Sequence, residues 1–202
     1  MREHKKISVL TYALLGLIHQ KPRAGYDLRK IFAETAMGSF SNSPGAIYPA
    51  LERLEKHGAI ASEVMESAGL RRRRVFRITE PGEQEFKQWL SKPVTRDEII
   101  RGTGELMLRF AFMEQALGAQ AAITFLRNLR VELDAYVPGL KEYLHQHGPQ
   151  MPLSGMLALD SGIRNYETLQ RWVAYAIQTY QSFLASRQPL SANQINTSGG
   201  QS

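Results

Sequence analysis

The sequence predicts a mainly α-helical protein in which a single basic β-hairpin interrupts the helices of the N-terminal half. Apolar residues recur three and four positions apart through most of the chain, which is the period of amphipathic helices. Residues 59–79 instead carry β-branched residues on both sides of a short turn, as a hairpin does, and four consecutive arginines open its second strand. A chain of 202 residues, 43% of them hydrophobic, is large enough for one domain or for two small ones.

Positive charge is concentrated in the same half of the chain. Residues 1–95 hold sixteen Lys and Arg against ten Asp and Glu, whereas residues 96–202 hold nine of each. A basic run by itself is as typical of a solvated surface as of a binding site. Because the whole excess lies in the half with the hairpin, the distribution favours an electrostatic footprint for nucleic acid.

The chain begins with two predicted helices. The apolar stripe of the first consists of Ile7, Leu10, Leu14, Leu17 and Ile18. This helix should end before Lys21-Pro22, since the residue before proline avoids the α region. The second helix begins at Gly25. Lys5 and Lys6 lie where the helix dipole disfavours cations, so a contact with the DNA backbone and a frayed terminus both explain them.

A third helix is predicted from Ser43 to Gly58. Ser43 suits the N-cap and Pro44 the first helical position, where a missing amide has no helical partner to lose. The apolar face consists of Ile47, Leu51 and Leu54. Gly58 stands where a left-handed C-cap residue belongs. Pro49 removes an amide inside this helix, so we expect it to bend the first turn.

The third helix leads directly into the basic hairpin. A capped amphipathic helix followed by such a hairpin, with two helices before it, is the order of a winged helix-turn-helix with a two-stranded wing. In that arrangement the helix fits the major groove, and the wing arginines reach phosphates or the adjacent minor groove. Arg71, Arg72 and Arg73 are the candidates for this contact. Arg74 shares a strand face with Phe76, which should pack inward.

Four motifs in the first ninety residues resemble those of one family. They are Ala13–Ile18, Gly25–Leu28, Gly45–Glu55 and Arg72–Thr79, accompanied by Gly58 and Gly82. On these residues the chain resembles the PadR family of transcriptional regulators, in the subgroup with a long C-terminal domain similar to the virulence activator AphA. The resemblance implies a winged helix-turn-helix, a homodimer, and repression (or sometimes activation) from palindromic sites on double-stranded DNA.

The resemblance also implies which residues face DNA. They are the turn and the start of the third helix: Ser41, Asn42, Ser43, Gly45, Ala46 and Tyr48. Tyr48 would donate its hydroxyl to a phosphate; the alternative is a half-buried aromatic residue whose hydroxyl lies in water.

A small ligand often binds members of this family at the junction of the two domains. The aromatic residues here that could line such a site are Trp89, Phe110, Phe112 and Trp172. Packing in an ordinary core or dimer interface is the alternative for each of them.

The C-terminal half predicts a helical dimerisation domain. Thr79 caps a helix that ends near Pro93, so the predicted organisation is a DNA-binding domain at 1–92, a dimerisation domain at 93–185 and a disordered tail at 186–202. Two long apolar stripes follow, and Pro138-Gly139 should kink or split the first. One chain offers too few neighbours to bury both stripes, which favours a homodimer. The predicted interface consists of Leu126, Leu129, Leu133, Leu140, Ile163, Leu169, Val173, Ile177 and Tyr180.

The sequence offers little for catalysis. The absence of cysteine excludes disulfides, thiolate zinc sites and a cysteine nucleophile. His145 and His147 are two positions apart and do not share a helix face, and no glycine-rich phosphate loop follows a strand. We therefore expect no enzyme activity, no cofactor and no metal. No run approaches the ~20 apolar residues of a membrane span, so we expect a cytoplasmic protein without a membrane partner.

The sequence thus predicts a dimeric, sequence-specific DNA-binding regulator that represses from an inverted repeat. Release by a small-molecule effector of unknown identity is a further hypothesis, and repression or activation stays open because both need the same contacts. The rival is a helical adaptor that binds a protein and does not bind DNA specifically. Salt separates the two, since phosphate-driven binding weakens steeply as salt rises and an apolar helix interface does not.

Overall fold

The computed structural model describes residues 8–40, 44–65 and 72–187, and these form eight α-helices and three β-strands. Their contacts divide them into two compact units. The first comprises the described residues up to Pro93 together with Asp97–Ala122, and the second comprises Val94–Arg96 with the described residues from Ile123 onward. The prediction of a mainly α-helical chain with an N-terminal winged helix-turn-helix and long C-terminal helices is confirmed.

The predicted elements occur in the predicted order. The helices are α1 (Val9–Gln20), α2 (Gly25–Glu34), α3 (Ile47–Lys56), α4 (Glu80–Leu90), α5 (Arg96–Arg101), α6 (Gly104–Leu117), α7 (Ala119–His147) and α8 (Leu153–Arg187). Of these helices, α5 and α6 were not predicted. The strands are β1 (Arg23–Ala24), β2 (Ile60–Met65) and β3 (Arg73–Ile78). Short 3-10 turns cover Ala36–Phe40, Pro44–Ala46 and Gly148–Gln150.

The sheet has three antiparallel strands in the order β1-β3-β2, where the sequence predicted two. The β2–β3 hairpin runs from the pair Ile60 and Ile78 to the pair Met65 and Arg73. On the other side of β3, Ala24 lies opposite Val75. The sequence analysis missed β1 because a two-residue strand has no alternation to detect. The consequence is that α2 starts directly from the sheet, beside β3.

The third helix begins later than predicted. The α-helical turns start at Ile47, preceded by the 3-10 turn Pro44–Ala46, and the predicted cap Ser43 lies outside the described residues. Pro49 consequently falls in the first turn of α3, where backbone amides have no helical acceptor, so it breaks no hydrogen bond. The predicted bend had assumed a helix beginning at Pro44.

The predicted end of this helix is confirmed. Gly58 has a φ of +79°, and its amide donates to the Glu55 carbonyl at 2.9 Å while the Ala59 amide donates to the Leu54 carbonyl at 2.9 Å. This pair of hydrogen bonds is the Schellman arrangement that closes helices at a left-handed residue. It turns the chain sharply from α3 into β2, so that the wing starts beside the third helix.

Thr79 joins the end of the wing to α3 and starts α4. Its hydroxyl accepts from the Gly82 amide at 3.2 Å, the predicted cap, and donates to the Gly58 carbonyl at 2.6 Å. Its amide donates to the Ala59 carbonyl at 3.1 Å. The base of the wing is therefore anchored to the end of α3 through both the side chain and the backbone of one residue.

The second unit contains the two long helices. α7 continues without a break through Pro138, which is exposed, so the predicted split does not occur. The two helices contact each other along their sides: Gln170 donates to Asp134 at 2.7 Å, and the rings of Tyr136 and Tyr166 lie 5.5 Å apart edge to face. None of the described helices is long and apolar enough to cross a membrane.

Most of the residues predicted to face a second copy are already buried within one chain. Six of the nine are buried: Leu126, Leu129, Leu133, Ile163, Val173 and Ile177. A side chain this buried in one copy adds little area to an interface with another, so its burial indicates packing within one chain, and the dimer interface stays a prediction. The prediction underestimated how far a single chain buries its own helical stripes. Leu140, Leu169 and Tyr180 are partly exposed.

Candidate nucleic-acid interface

A cavity of about 570 Å³ opens between the starts of α2 and α3 and the strand β3. We call it the basic cleft. It is lined by Ala24, Gly25, Tyr26, Asp27, Arg29, Tyr48, Arg72, Arg73, Arg74 and Phe76. Four arginines and a single carboxylate share this lining, so the cleft is electropositive and suits an anionic ligand.

The short strand β1 positions one wall of the cleft. Because β1 pairs with β3 and leads straight into α2, the first turn of α2 lies next to the arginines of β3. Ala24 is the N-cap of α2 and provides no side-chain acceptor for the amides of that turn. Uncapped amides at a helix N-terminus attract anions, since the helix dipole adds to the donors.

Tyr48 forms the opposite wall, at the start of α3. Its side chain is 47% exposed, and its ring lies against Gly25: a Cβ placed on Gly25 would be 2.8 Å from Cε1 of the Tyr48 ring. The phenol therefore stands beside the start of α2 with much of its surface in solvent. Both of the readings left open for Tyr48 fit this half-exposed position, and its hydroxyl is accessible to a phosphate.

Among the described residues, Arg72 and Arg73 are exposed and have no carboxylate within 4.0 Å. The two other described wing arginines, Arg74 and Arg77, each pair with a glutamate. Arg74 forms a salt bridge with Glu55, and Nε of Arg77 lies 2.6 Å from a Glu63 oxygen. The sequence analysis separated Arg74 from its neighbours by strand parity, and the structure places it on the face of the buried Phe76, with its guanidinium 5.3 Å from that ring.

Other predicted DNA-facing residues fall in two groups. Gly45 and Ala46 lie in the 3-10 turn that precedes α3, near the entrance of that helix. The residues that lie outside the described part of the chain are Lys5, Lys6, Ser41, Asn42, Ser43 and Arg71.

Sequence reasoning did not single out the contribution of α2 to this site. Gly25, Tyr26 and Arg29 all line the cleft, and the Arg29 guanidinium lies 5.5 Å from the Tyr26 ring centroid. The available signal was the Gly-Tyr-Asp motif, which had been used to place the start of a helix and as one of the four motifs of the family resemblance. In the structure Tyr26 is 60% exposed beside that helix start.

The aromatic residues predicted to line a ligand site do not lie in this cleft. Trp89 is buried and stacks on Tyr12, with ring centroids 4.4 Å apart, and its indole N–H donates to Glu105 at 3.1 Å. Phe112 is buried against Phe86 at 5.8 Å. This packing is that of a core cluster, the alternative left open for these residues, and a ligand site at Trp89 and Phe112 stays a prediction. The other two candidates, Phe110 and Trp172, are partly exposed.

Burial in this cluster affects the pKa of the Tyr12 phenol. It raises the pKa of the Tyr12 phenol, and the nearby carboxylates Glu85 and Glu105 raise it further. The phenol therefore stays neutral at physiological pH and acts as a packing partner of Trp89.

Comparison with known proteins connects this geometry to a family. Residues 14–88 match the model of the transcriptional regulator PadR-like family, a span that contains every residue lining the basic cleft. The match covers 75 of the 202 residues, so the similarity to this family concerns the N-terminal part of the chain. The negative transcriptional regulator PadR of Bacillus subtilis (strain 168) is 30% identical over 105 residues, which are 52% of this chain and 57% of that protein. The chain thus matches little more than half the length of this curated relative.

Solved structures of PadR-like proteins give weaker likenesses over longer stretches. Bacillus subtilis PadR in complex with operator DNA is 23% identical, with a TM-score of 0.39 over 85% of this chain and 99% of that one. The PadR-like regulator BC1756 from Bacillus cereus is 22% identical, with a TM-score of 0.40 over 88% and 99%. TM-scores this low transfer no geometry to the present chain. The predicted subgroup similar to AphA stays a prediction.

Proposed function

We propose that this protein is a sequence-specific DNA-binding transcriptional regulator that works as a homodimer at an inverted repeat. The observation that carries the proposal is the basic cleft, formed by α2, α3 and β3 within the PadR-like domain. The curated relative is a negative transcriptional regulator, which supports repression as the direction. Phosphate-neutralising cations and backbone amides provide affinity in such a site, and the adjoining helix provides sequence readout.

In the proposed complex, α3 enters the major groove and the cleft holds the neighbouring backbone. Arg72 and Arg73 bind phosphates, because they have no carboxylate partner among the described residues. The Tyr48 hydroxyl donates to a phosphate, and the uncapped first turn of α2 presents further donors. The proposed DNA-binding domain is 1–92, with the dimerisation domain at 93–185 and the tail at 186–202.

A homodimer is part of the proposal because one winged helix makes few base contacts, and a second half-site adds specificity. The exposed apolar side chains of α8 support it. They are Leu153, Leu157, Tyr175 and Phe183. Together with the partly exposed Leu140, Leu169 and Tyr180, these residues replace the buried stripe as the candidate contact with a second copy. A small-molecule effector, a cytoplasmic location and the absence of enzyme activity complete the proposal.

A footprint of the purified protein on the DNA upstream of its own gene, at two salt concentrations, tests this function. We expect protection of an inverted repeat that fades as salt rises. If the protein binds neither specific nor random DNA fragments, the result would instead support the protein-binding adaptor. Binding of that adaptor to its protein partner should not weaken as salt rises.

The cleft itself is tested by replacing Arg72 and Arg73 together with alanine. Affinity should fall on every DNA sequence, and the slope of log affinity against log salt should drop by up to about two, roughly 0.9 for each lost phosphate contact. The matched control replaces Arg130 and Arg164, two exposed arginines outside the PadR-like domain that pair with aspartates. An equal loss in both variants would mean that only net charge matters, which contradicts the site.

A further inference from the structure

The wing carries a second attachment to α3, beyond the one at its base. Nε of Arg74 donates to Oγ of Ser62 at 2.8 Å, and the same guanidinium donates to a carboxylate oxygen of Glu55. The Ser62 hydroxyl donates to the other oxygen of Glu55 at 2.5 Å. We call these three residues, one each from α3, β2 and β3, the wing tie. Each member contacts the other two.

The position of the wing tie along the hairpin lets it limit the angle between the hairpin and α3. The last described pair of the hairpin is Met65 with Arg73, and Arg74 belongs to the pair next to it. The base of the wing is anchored separately, where Thr79 binds the carbonyls of Gly58 and Ala59. A second anchor, four residues before Ile78 on β3, restricts the angle of the hairpin to the neighbouring helix more than an anchor at the base alone.

The charges of the wing tie compensate each other. The hydrogen bond from Ser62, and then the guanidinium of Arg74, hold the pKa of the Glu55 carboxyl below its usual range, so Glu55 is ionised at neutral pH. Glu55 matches the Arg74 charge, whereas Arg72 and Arg73 have no carboxylate within 4.0 Å in the part of the chain that the structure describes. A carboxylate on the proposed groove-reading helix repels phosphates, so simple electrostatics expects DNA binding to improve when Glu55 is neutralised.

We propose that Glu55 and Arg74 are positioning residues of the DNA interface. Their contact sets the angle between the wing and α3, so that Arg72 and Arg73 reach the backbone while α3 lies in the groove. In this arrangement Glu55 makes no DNA contact, and Arg74 lines the cleft with its guanidinium bound to Glu55 and not to a phosphate. The inference rests on the proposed function. Charge alone predicts that neutralising Glu55 raises DNA affinity, whereas a positioning role predicts that it lowers the affinity for specific DNA.

The first test compares Glu55→Gln with Glu52→Gln, which removes an exposed carboxylate from the same helix. We expect Glu55→Gln to lower operator affinity roughly tenfold, the scale of one charged hydrogen bond, without weakening binding to random DNA. Glu52→Gln should leave operator affinity unchanged or raise it. Operator binding by Glu55→Gln that equals or exceeds wild type would overturn the proposal.

The second test uses salt, because a positioning residue releases no counterions. Arg74→Gln should lower operator affinity at an unchanged salt slope, whereas Arg73→Gln should reduce that slope by about one. A slope reduced equally by both variants would make Arg74 a direct phosphate contact and overturn the inference. The double variant Glu55→Gln/Arg74→Gln should bind no worse than either single variant, since both remove one shared contact; fully additive losses contradict it.

Folding is checked by thermal unfolding of each variant. Ser62→Ala supplies a milder change that removes only the hydroxyl, and we expect a smaller loss of operator affinity in the same direction. If the single variants Ser62→Ala and Glu55→Gln both keep full operator affinity, the proposed positioning role of the wing tie is wrong. A wild-type protein that binds no operator refutes the proposed function instead, so the two failures are distinguishable.

Discussion

Gly25 and Tyr48 begin different helices and touch each other. A Cβ on Gly25 would lie 2.8 Å from Cε1 of the Tyr48 ring, closer than two carbon atoms approach without a shift. Glycine at the start of α2 therefore lets the tyrosine at the start of α3 settle into the basic cleft. This contact couples the two walls of the proposed phosphate site.

Gly25→Ala should weaken DNA binding by roughly three- to tenfold while leaving thermal stability nearly unchanged. The half-exposed Tyr48 ring can move aside, and alanine is no worse than glycine in a helix, so the fold tolerates the change. Binding and melting measured on the same preparation check this. Gly104→Ala, at the start of α6, is the control, since its nearest neighbour would lie 3.7 Å away. Full affinity in Gly25→Ala would show that the ring position does not matter.

Gly82→Ala should destabilise the protein by about 2–3 kcal/mol, as overpacking against a fixed neighbour does. Its Cβ would lie 1.9 Å from the Ala59 carbonyl oxygen, a backbone atom that also accepts from Thr79. Urea unfolding measures the loss. Gly162→Ala in α8, where nothing lies within 4 Å, should be neutral or stabilising. Equal stability of both variants would contradict the close approach of α4 to the end of α3.

Arg109→Met should cost on the order of 3 kcal/mol of unfolding free energy. The guanidinium is fully buried and donates to Glu98 at 3.0 Å, to the Leu90 carbonyl at 3.1 Å and to the Lys92 carbonyl. Burial lowers the pKa of Arg109, and Glu98 opposes that shift. Methionine keeps the volume but leaves those acceptors without their donor. Thermal unfolding measures this loss of stability. The control Arg101→Met, whose side chain is exposed, should lose less than about 0.5 kcal/mol of unfolding free energy.

Leu133→Ala and Tyr175→Asp should affect different properties. Leu133 is fully buried in one chain, so its truncation should cost about 2–4 kcal/mol of stability. Tyr175 is 66% exposed on α8, so its replacement should weaken self-association and leave monomer stability near wild type. Sedimentation combined with urea unfolding separates the two effects. If Leu133→Ala were monomeric and as stable as wild type, the original prediction that Leu133 lies in the dimer interface would be supported.

Features that depend on neighbours along the chain were predictable. The order of the first four helices and of the two long ones, the left-handed Gly58 and the Thr79 cap were predicted correctly, because periodicity and capping act within one or two turns. The parity of Arg74 with Phe76 was also correct, since strand alternation is local. The start of α3 was misplaced because capping residues at Ser43-Pro44 resemble those of many helix starts, and the competing 3-10 turn has no distinct signature.

Features that depend on contacts between distant residues came from the three-dimensional arrangement alone. Strand β1 exists because β3 offers it a partner, and α2 reaches the cleft only through that pairing. The tie between Glu55 and Arg74 joins residues nineteen positions apart, so no local pattern reveals it. The burial of the α7 stripe was likewise misjudged, because periodicity identifies an apolar face but not what covers it. Local interactions determined the elements and their charges, and long-range packing determined which of those charges stay available to the proposed DNA ligand.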